Sequence, residues 1–516
     1  MGGPPACGEG RDRDNAGGLE PERYAIMTLS RLGAYLFGSR FGRHILNGMT
    51  NLVYVDSVRR PLVHGVDRFL QKPGTCDGLD HAGWHKIHQQ RGEVYRAVLH
   101  SLDRAIEKRV LAPHVARRIF YLWGRALFPS GRRINAVRRF RQEYGSAPPW
   151  FLVISPTRLC NLKCTGCYAN SEPEIEQPEA KLPWDMLDHI MTEAEDRWGI
   201  ALFVFSGGEP LTYRSQGKEL LDAVEKHKDC LFLMFTNGTL ISGETARRLA
   251  ELGNLTPCLS VEGLGEQTDE RRGSGVFNRV LDAMTRLREA GVPFGISLTA
   301  TRSNCEQVLS DQVLDFYFEE QGAFYAFIFQ YMPLGRLPNP DWMPAPDQRV
   351  PFWERSCAVV RQRHLFLLDF WNHGPMVEGC IAAGRDRGYL HIDWNGNVMP
   401  CVFMPYAAAN LYKIYARGGT LDDVWTTPLF RAVRQWQRDY GYGCRKLSRE
   451  GNWMLPCPFR DHFATFRTWI ESLEPEPEEG VAPENLLTEA FCGKMLAYGA
   501  EQAKLVQPLW EKEYLG

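Results

Sequence analysis

The chain has no uninterrupted apolar run approaching the roughly 18 residues that a bilayer-crossing helix needs. Its best early candidate, Ala25 to Gly38, is short and broken by Arg31. A secretory signal is missing as well, because Met1 to Asn15 is polar and Gly/Pro-rich, with Arg11, Asp12, Arg13 and Asp14 in place of an apolar core. Together these absences predict a cytoplasmic protein and leave peripheral membrane contact open. Net charge is small, formally −2 at pH 7, and no nucleic-acid-reading motif accompanies it, so no nucleic acid partner is expected. A cobalamin-binding motif is absent too.

What is present is length, ordinary globular composition and cysteine. At 516 residues, 44% hydrophobic and 24% charged, the chain exceeds what one core supports and predicts two or three domains. The expected divisions are a disordered tail over 1–20, a helical domain over 21–147, an α/β core over 148–345, a cysteine-bearing extension over 346–473, and an acidic linker with a C-terminal helix over 474–516. Between His81 and Glu143 stand 14 Lys/Arg against 4 Asp/Glu. That bias suits a solvated helical face, or contact with anionic lipid headgroups.

From Pro148 the pattern alternates strand and helix. Strands are predicted at 151–155, 201–205, 231–235, 256–261, 294–299 and 324–331, with amphipathic helices at 184–198, 220–228, 244–252, 276–290 and 306–320. Six βα units predict a parallel sheet curled into a partial barrel, with its chemistry at the C-terminal strand ends.

In a reducing compartment, 14 cysteines point to metal or catalysis before disulfides. Cys7, Cys76, Cys230, Cys258, Cys305, Cys357 and Cys492 are scattered, and the remainder fall into two groups. Cys160, Cys164 and Cys167 follow the first strand directly. Three thiolates on one short loop can hold three corners of an iron-sulfur cubane and leave one iron open; a zinc knuckle is the alternative. The second strand ends in Ser206-Gly207-Gly208-Glu209-Pro210, where the glycines admit close backbone approach and Glu209 can accept from an ammonium group.

This pairing of motifs at adjacent strand ends resembles the radical S-adenosylmethionine (radical SAM) superfamily over about residues 150–335. The resemblance implies a partial (β/α)6 TIM-like barrel, a 4Fe-4S cluster whose open iron takes the amino and carboxylate groups of S-adenosylmethionine, and cleavage to a 5′-deoxyadenosyl radical. It assigns Gly207, Gly208, Glu209 and Pro210 to the methionyl amine. Thr236 and Asn237 fall at the third strand end, and Ser260 with Glu262 at the fourth, where family members contact the ribose. Ser297, Thr299 and the Met332-Pro333-Leu334 stretch fall where carboxylate and adenine contacts lie. A low-potential donor of the flavodoxin or ferredoxin type is the implied partner. The chain departs from the family pattern at Gly166, where an aromatic usually precedes the third cysteine.

The second group is Cys380, Cys401, Cys444 and Cys457. An Asn-Gly turn at Asn395-Gly396 predicts a hairpin that brings Cys380 and Cys401 toward one end. This resembles the SPASM/twitch extension and implies an auxiliary 4Fe-4S cluster. A structural zinc site, or ligation without Cys444, are the competing readings. Segments around Trp394 to Phe403 and Gly418 to Asp422 resemble bacterial relatives of membrane-spanning-lipid and tetraether synthases. By that resemblance the substrate is large and apolar, with lipid alkyl chains joined carbon to carbon. A peptide- or protein-modifying maturase is the alternative, and a non-catalytic iron-sulfur or zinc scaffold a third class.

Overall fold

A computed structural model of the chain describes residues 51–71, 82–129, 131–173, 180–386, 388–444, 447–483 and 485–516. The expected tail over 1–20, Cys7 and Cys76 lie outside the described residues.

The described N-terminal part contains four helices, α1 (Asp56–Leu70), α2 (Ala82–Glu107), α3 (Pro113–Leu127) and α4 (Arg132–Tyr144). Helix α1 is tied to α2 by charge. Arg59 is buried, with its Nε 2.7 Å from Asp103, and Arg96 reaches Asp67 at 2.8 Å. Helix α4 ends at Gly145 in the left-handed conformation, and the chain turns into the sheet through Pro148 and Pro149.

Six parallel strands follow: β1 (Phe151–Ile154), β2 (Leu202–Phe205), β3 (Leu231–Thr236), β4 (Leu255–Val261), β5 (Gly295–Ala300) and β6 (Tyr325–Gln330). Between them run α5 (Trp184–Glu193), α6 (Leu220–Lys226), α7 (Gly243–Leu252), α8 (Gly265–Arg272) and α9 (Val276–Ala290). The strands are apolar on both faces, as parallel strands covered on both sides must be. Leu152, Ile154, Phe203, Phe205, Phe232 and Met234 belong to the main core shared with the helices, whereas Val153 and Val204 form a separate cluster on the opposite face with Phe151, Leu233 and Phe235. Helix α8 was not anticipated, and the helical stretch expected from Glu306 starts at Asp311.

The sheet extends beyond these six strands. After helix α10 (Pro346–Arg363), β7 (Leu367–Asp369) adds to β6, while β8 (Tyr389–Ile392) pairs parallel with β1. Strand β9 (Asn397–Met399) returns antiparallel to β8, and the sheet finishes beyond the short strand β10 (Tyr406–Ala407) with β11 (Ala409–Asn410). The resulting order is β11-β9-β8-β1-β2-β3-β4-β5-β6-β7. The predicted Asn-Gly hairpin is present, with Gly396 at φ +72 and the Asp393 carboxylate accepting from the Asn395 and Asn397 amides. It continues the barrel sheet directly.

After α11 (Pro428–Asp439) and α12 (Phe463–Leu473), the acidic stretch read as a linker is instead a docked strap. Strand β12 (Glu476–Pro477) pairs with β10, Glu478 and Val481 are buried, and Gly335 donates to the Val481 carbonyl at 2.9 Å. Glu474, Glu476 and Glu479 stay exposed, as the acidic composition predicts, while the backbone is held by this pairing. Helix α13 (Glu489–Trp510) starts at a Thr488 cap and packs on α10 and on the turn at 458–461. No helix among the described residues is long and apolar enough to cross a membrane.

Candidate functional site

The C-terminal ends of β1 to β5 converge on the first cysteine group. The loop after β1 carries Cys160, Cys164 and Cys167 as free, half-buried thiols close enough to influence one another electrostatically. Burial pushes Cys160 up to about 12, so as a bare thiol it stays protonated near neutrality; a bound metal centre would favour its thiolate. Among the described residues no three His, Cys, Asp or Glu side chains are drawn together as the ligands of a single metal ion. Asn237 Nδ2 stands 3.8 Å from Cys160 Sγ and 2.9 Å from Asn161 Oδ1, tying the end of β3 to the cysteine loop.

The Gly207-Gly208 turn is zipped to the segment before Cys160. Gly208 N–H donates to Thr157 O at 2.8 Å and Glu209 N–H to Leu159 O at 2.9 Å. A Cβ on Gly208 would sit 2.1 Å from the Leu159 carbonyl, and Gly207 has φ +104, so both positions require glycine.

Two carboxylates predicted to meet the cofactor are engaged within the chain. Glu209, 1% exposed, accepts from Thr236 Oγ1 (2.7 Å), Asn237 N (2.7 Å) and Leu211 N (3.2 Å). Desolvation raises its pKa, and those three donors oppose the shift. These bonds clamp the β2 turn to the end of β3. Glu262, also 1% exposed, accepts from Arg271 Nη1 (2.7 Å), from Arg272 Nε (3.0 Å) and Nη2 (2.5 Å), and from Thr299 N (3.3 Å). Both arginines come from α8, the element the periodicity missed. Arg271 also donates to the carbonyls of Thr165 and Gly166, and the Arg272 charge bears on Cys164 and Cys167. Ser260 and Ser297 meet across β4 and β5 at 3.2 Å, and Pro210 opens a helical turn. Tyr168, beside the third cysteine, places its hydroxyl 2.6 Å from Ser206 Oγ.

Within the second group, Cys380, Cys401 and Cys457 are free and influence one another electrostatically, whereas Cys444 is disulfide-bonded. Burial pushes Cys401 and Cys457 up to about 12. Tyr389 Oη lies 2.9 Å and Phe403 N 3.4 Å from Cys401 Sγ, and Gln437 Nε2 lies 3.4 Å from Cys380 Sγ. Arg460, fully buried, pairs with Asp461, whose carboxylate also binds Arg349 at 2.8 Å.

Between the two cysteine groups lies an aromatic wall that composition alone did not reveal. Phe235 meets Phe327 and Phe329 edge-on, with centroids 5.7 and 5.5 Å away. Phe370, Trp371 and Phe403 continue it, and Tyr168 joins Phe403 at 5.9 Å.

Known proteins match this architecture. The profile of the Radical SAM superfamily covers residues 154–302, and that of an iron-sulfur cluster-binding domain, SPASM, covers residues 380–446. The AdoMet-dependent heme synthase of Oleidesulfovibrio alaskensis is 31% identical over 325 residues, 57% of this chain and 78% of that protein. The AdoMet-dependent heme synthase of Methanosarcina barkeri is 27% identical over 306 residues, covering 54% and 82%. Among solved structures, Streptococcus suis SuiB bound to its precursor peptide SuiA aligns with TM-score 0.48 and 23% identity, over 58% of this chain and 70% of that one. The chain therefore belongs to the radical SAM superfamily, as an enzyme that uses a 4Fe-4S cluster and S-adenosylmethionine and carries an iron-sulfur-binding SPASM domain behind its barrel.

Proposed function

We propose that Cys160, Cys164 and Cys167 hold the cofactor-binding cluster, and that the enzyme abstracts hydrogen from a large, apolar substrate seated against the aromatic wall. When bound, the cluster and S-adenosylmethionine supply a 5′-deoxyadenosyl radical. In this reading the Gly207-Gly208 backbone, Pro210, Thr236, Asn237, Ser260 and Ser297 form the cofactor's surroundings. Glu209 and Glu262 act one layer back: the first fixes the glycine turn, and the second fixes the α8 arginines that grip the cysteine loop. Cys380, Cys401 and Cys457 hold the auxiliary cluster. A low-potential flavodoxin- or ferredoxin-type protein supplies the electron.

The observation that carries the substrate class is the wall of half-buried rings formed by Phe235, Phe327, Phe329 and Phe370, backed by the buried Trp371 and Phe403, with little hydrogen bonding. Lipid alkyl chains suit it. Contact with a lipid surface has its own support in α1, which exposes Leu62 (46%), Val66 (36%) and Phe69 (71%) along one side, with Arg60 and Arg68 on the same helix. A tetrapyrrole is the second reading, favoured by the heme synthases that this chain spans over about four-fifths of their length. A peptide substrate is the third reading, favoured by the Bacillus subtilis sporulation killing factor maturation protein, 28% identical with 58% of its length covered.

The test is anaerobic reconstitution, followed by dithionite-driven formation of 5′-deoxyadenosine with perdeuterated lipid, porphyrin or peptide mixtures. Deuterium in the deoxyadenosine identifies the substrate class, and its absence from both lipid and porphyrin incubations refutes the apolar reading. Flotation with anionic vesicles at low salt checks the surface contact: protein left at the bottom of the gradient argues against it.

A further inference from the structure

The Tyr389 hydroxyl and the Cys401 sulfur are 2.9 Å apart, and this contact is built into the fold. Tyr389 opens β8, and Cys401 follows β9. The register that pairs His391 with Met399 and Ile392 with Val398 brings Tyr389 opposite Cys401 when continued outward. The tyrosine ring is 1% exposed and stacks on Phe151 of β1, centroid to centroid 5.0 Å at 12°. Pairing of Phe151 with Tyr389 in the β1–β8 ladder fixes the ring from its other side. The phenol is therefore held by two strand pairings and one ring stack, with no solvent to satisfy it.

A thiolate can only accept, so the Tyr389 O–H is the donor in this contact. Hydrogen bonds to cluster sulfurs withdraw electron density and stabilise the reduced state, in which the sulfurs carry more negative charge, and so raise the reduction potential. The Phe403 amide at 3.4 Å adds a weaker donor to the same sulfur.

We infer that Tyr389 is a positioning residue that raises the reduction potential of the auxiliary cluster through its hydrogen bond to Cys401. This rests on the reading of Cys380, Cys401 and Cys457 as that cluster's ligands. Tyr389 belongs at once to the barrel interior, beside Phe151 and Val153, and to the immediate surroundings of Cys401. A change at the substrate wall that moved the phenol would thereby alter the potential of the centre behind it.

The experiment is an EPR-monitored redox titration of the reconstituted full chain and its Tyr389→Phe variant, with iron counted in both. The expected result is unchanged iron per chain, an unchanged potential for the cofactor-binding cluster, and an auxiliary midpoint shifted to more negative values in Y389F. Equal auxiliary midpoints at equal iron content overturn the inference. If Y389F does not retain iron, a fluorinated tyrosine placed at position 389 serves instead: its more acidic phenol is a stronger donor and should move the midpoint the opposite way, and no movement overturns the inference. Failure of the underlying reading looks different. The unaltered chain would then bind only about four irons, and Cys401→Ala would leave that number unchanged.

Discussion

Arg272 Nη2 sits 2.5 Å from Glu262 Oε1, in an ion pair whose carboxylate is 1% exposed and whose guanidinium opposes the rise that burial imposes on the Cys164 thiol pKa. Arg271 binds the same oxygen at 2.7 Å and reaches the carbonyls of Thr165 and Gly166. One buried acid thus organises two cations against the cysteine loop. Removing one partner of a buried pair leaves an uncompensated charge, at a cost of about 3–5 kcal/mol. Glu262→Ala should lower unfolding stability by that order in urea titration. It should also loosen the loop, seen as faster amide exchange at Thr165.

Cysteine replacement separates the two groups. Cys164→Ala should reduce iron by about four per chain and bring dithionite-driven deoxyadenosine formation to background, while far-UV circular dichroism stays that of the parent. Cleavage that persists in this variant would remove the first cysteine group from the chemistry.

A pair of glycines gives a graded test of the motif after β2. Gly208→Ala puts a methyl 2.1 Å from the Leu159 carbonyl, a backbone atom that cannot step aside. The expected outcome is failure to retain the cluster after reconstitution, measured by iron content. Gly243→Ala, at the start of α7 with nothing within 4 Å of the new methyl, should be neutral or stabilising by about 0.4–1 kcal/mol.

Stability should fall in mild acid because of His373. Its ring is buried, with Nδ1 accepting from the Asp369 amide at 3.2 Å and Nε2 facing Ser356 Oγ at 3.3 Å, and burial lowers its pKa from 6.5 to about 3. The folded value lies below the unfolded one, so the unfolded chain binds the extra proton. The contribution is fully present above about pH 6.5 and is lost as pH falls toward 3, by about 1.4 kcal/mol per pH unit. Urea midpoints of the parent and of His373→Gln across this range should differ in slope, the variant being flatter.

Sequence alone determined the strand-helix alternation, the cysteine spacing and the Gly-Gly-Glu-Pro turn. Each is local: periodicity reports which face is buried, and three thiols within eight residues share a loop however the rest folds. The same holds for the Asn395-Gly396 hairpin, whose turn conformation is a property of its own residues. What the tertiary structure decided is how these pieces meet. Glu209 and Glu262 read as cofactor contacts because both stand at strand ends; their hydrogen bonds to Thr236, Asn237, Arg271 and Arg272 form only once β3 and α8 are docked. The aromatic wall draws on β3, β6, the segment after β7 and Phe403, so no window of sequence contains it. The acidic stretch from Glu474 reads as a linker because composition describes solvation, and it carries no sign of the pairing of Glu476–Pro477 with Tyr406–Ala407, which depends on a partner about 70 residues away. Spacing fixes chemistry that neighbours in the chain can perform together, and long-range docking fixes which oxygen, ring or sulfur each side chain finally faces.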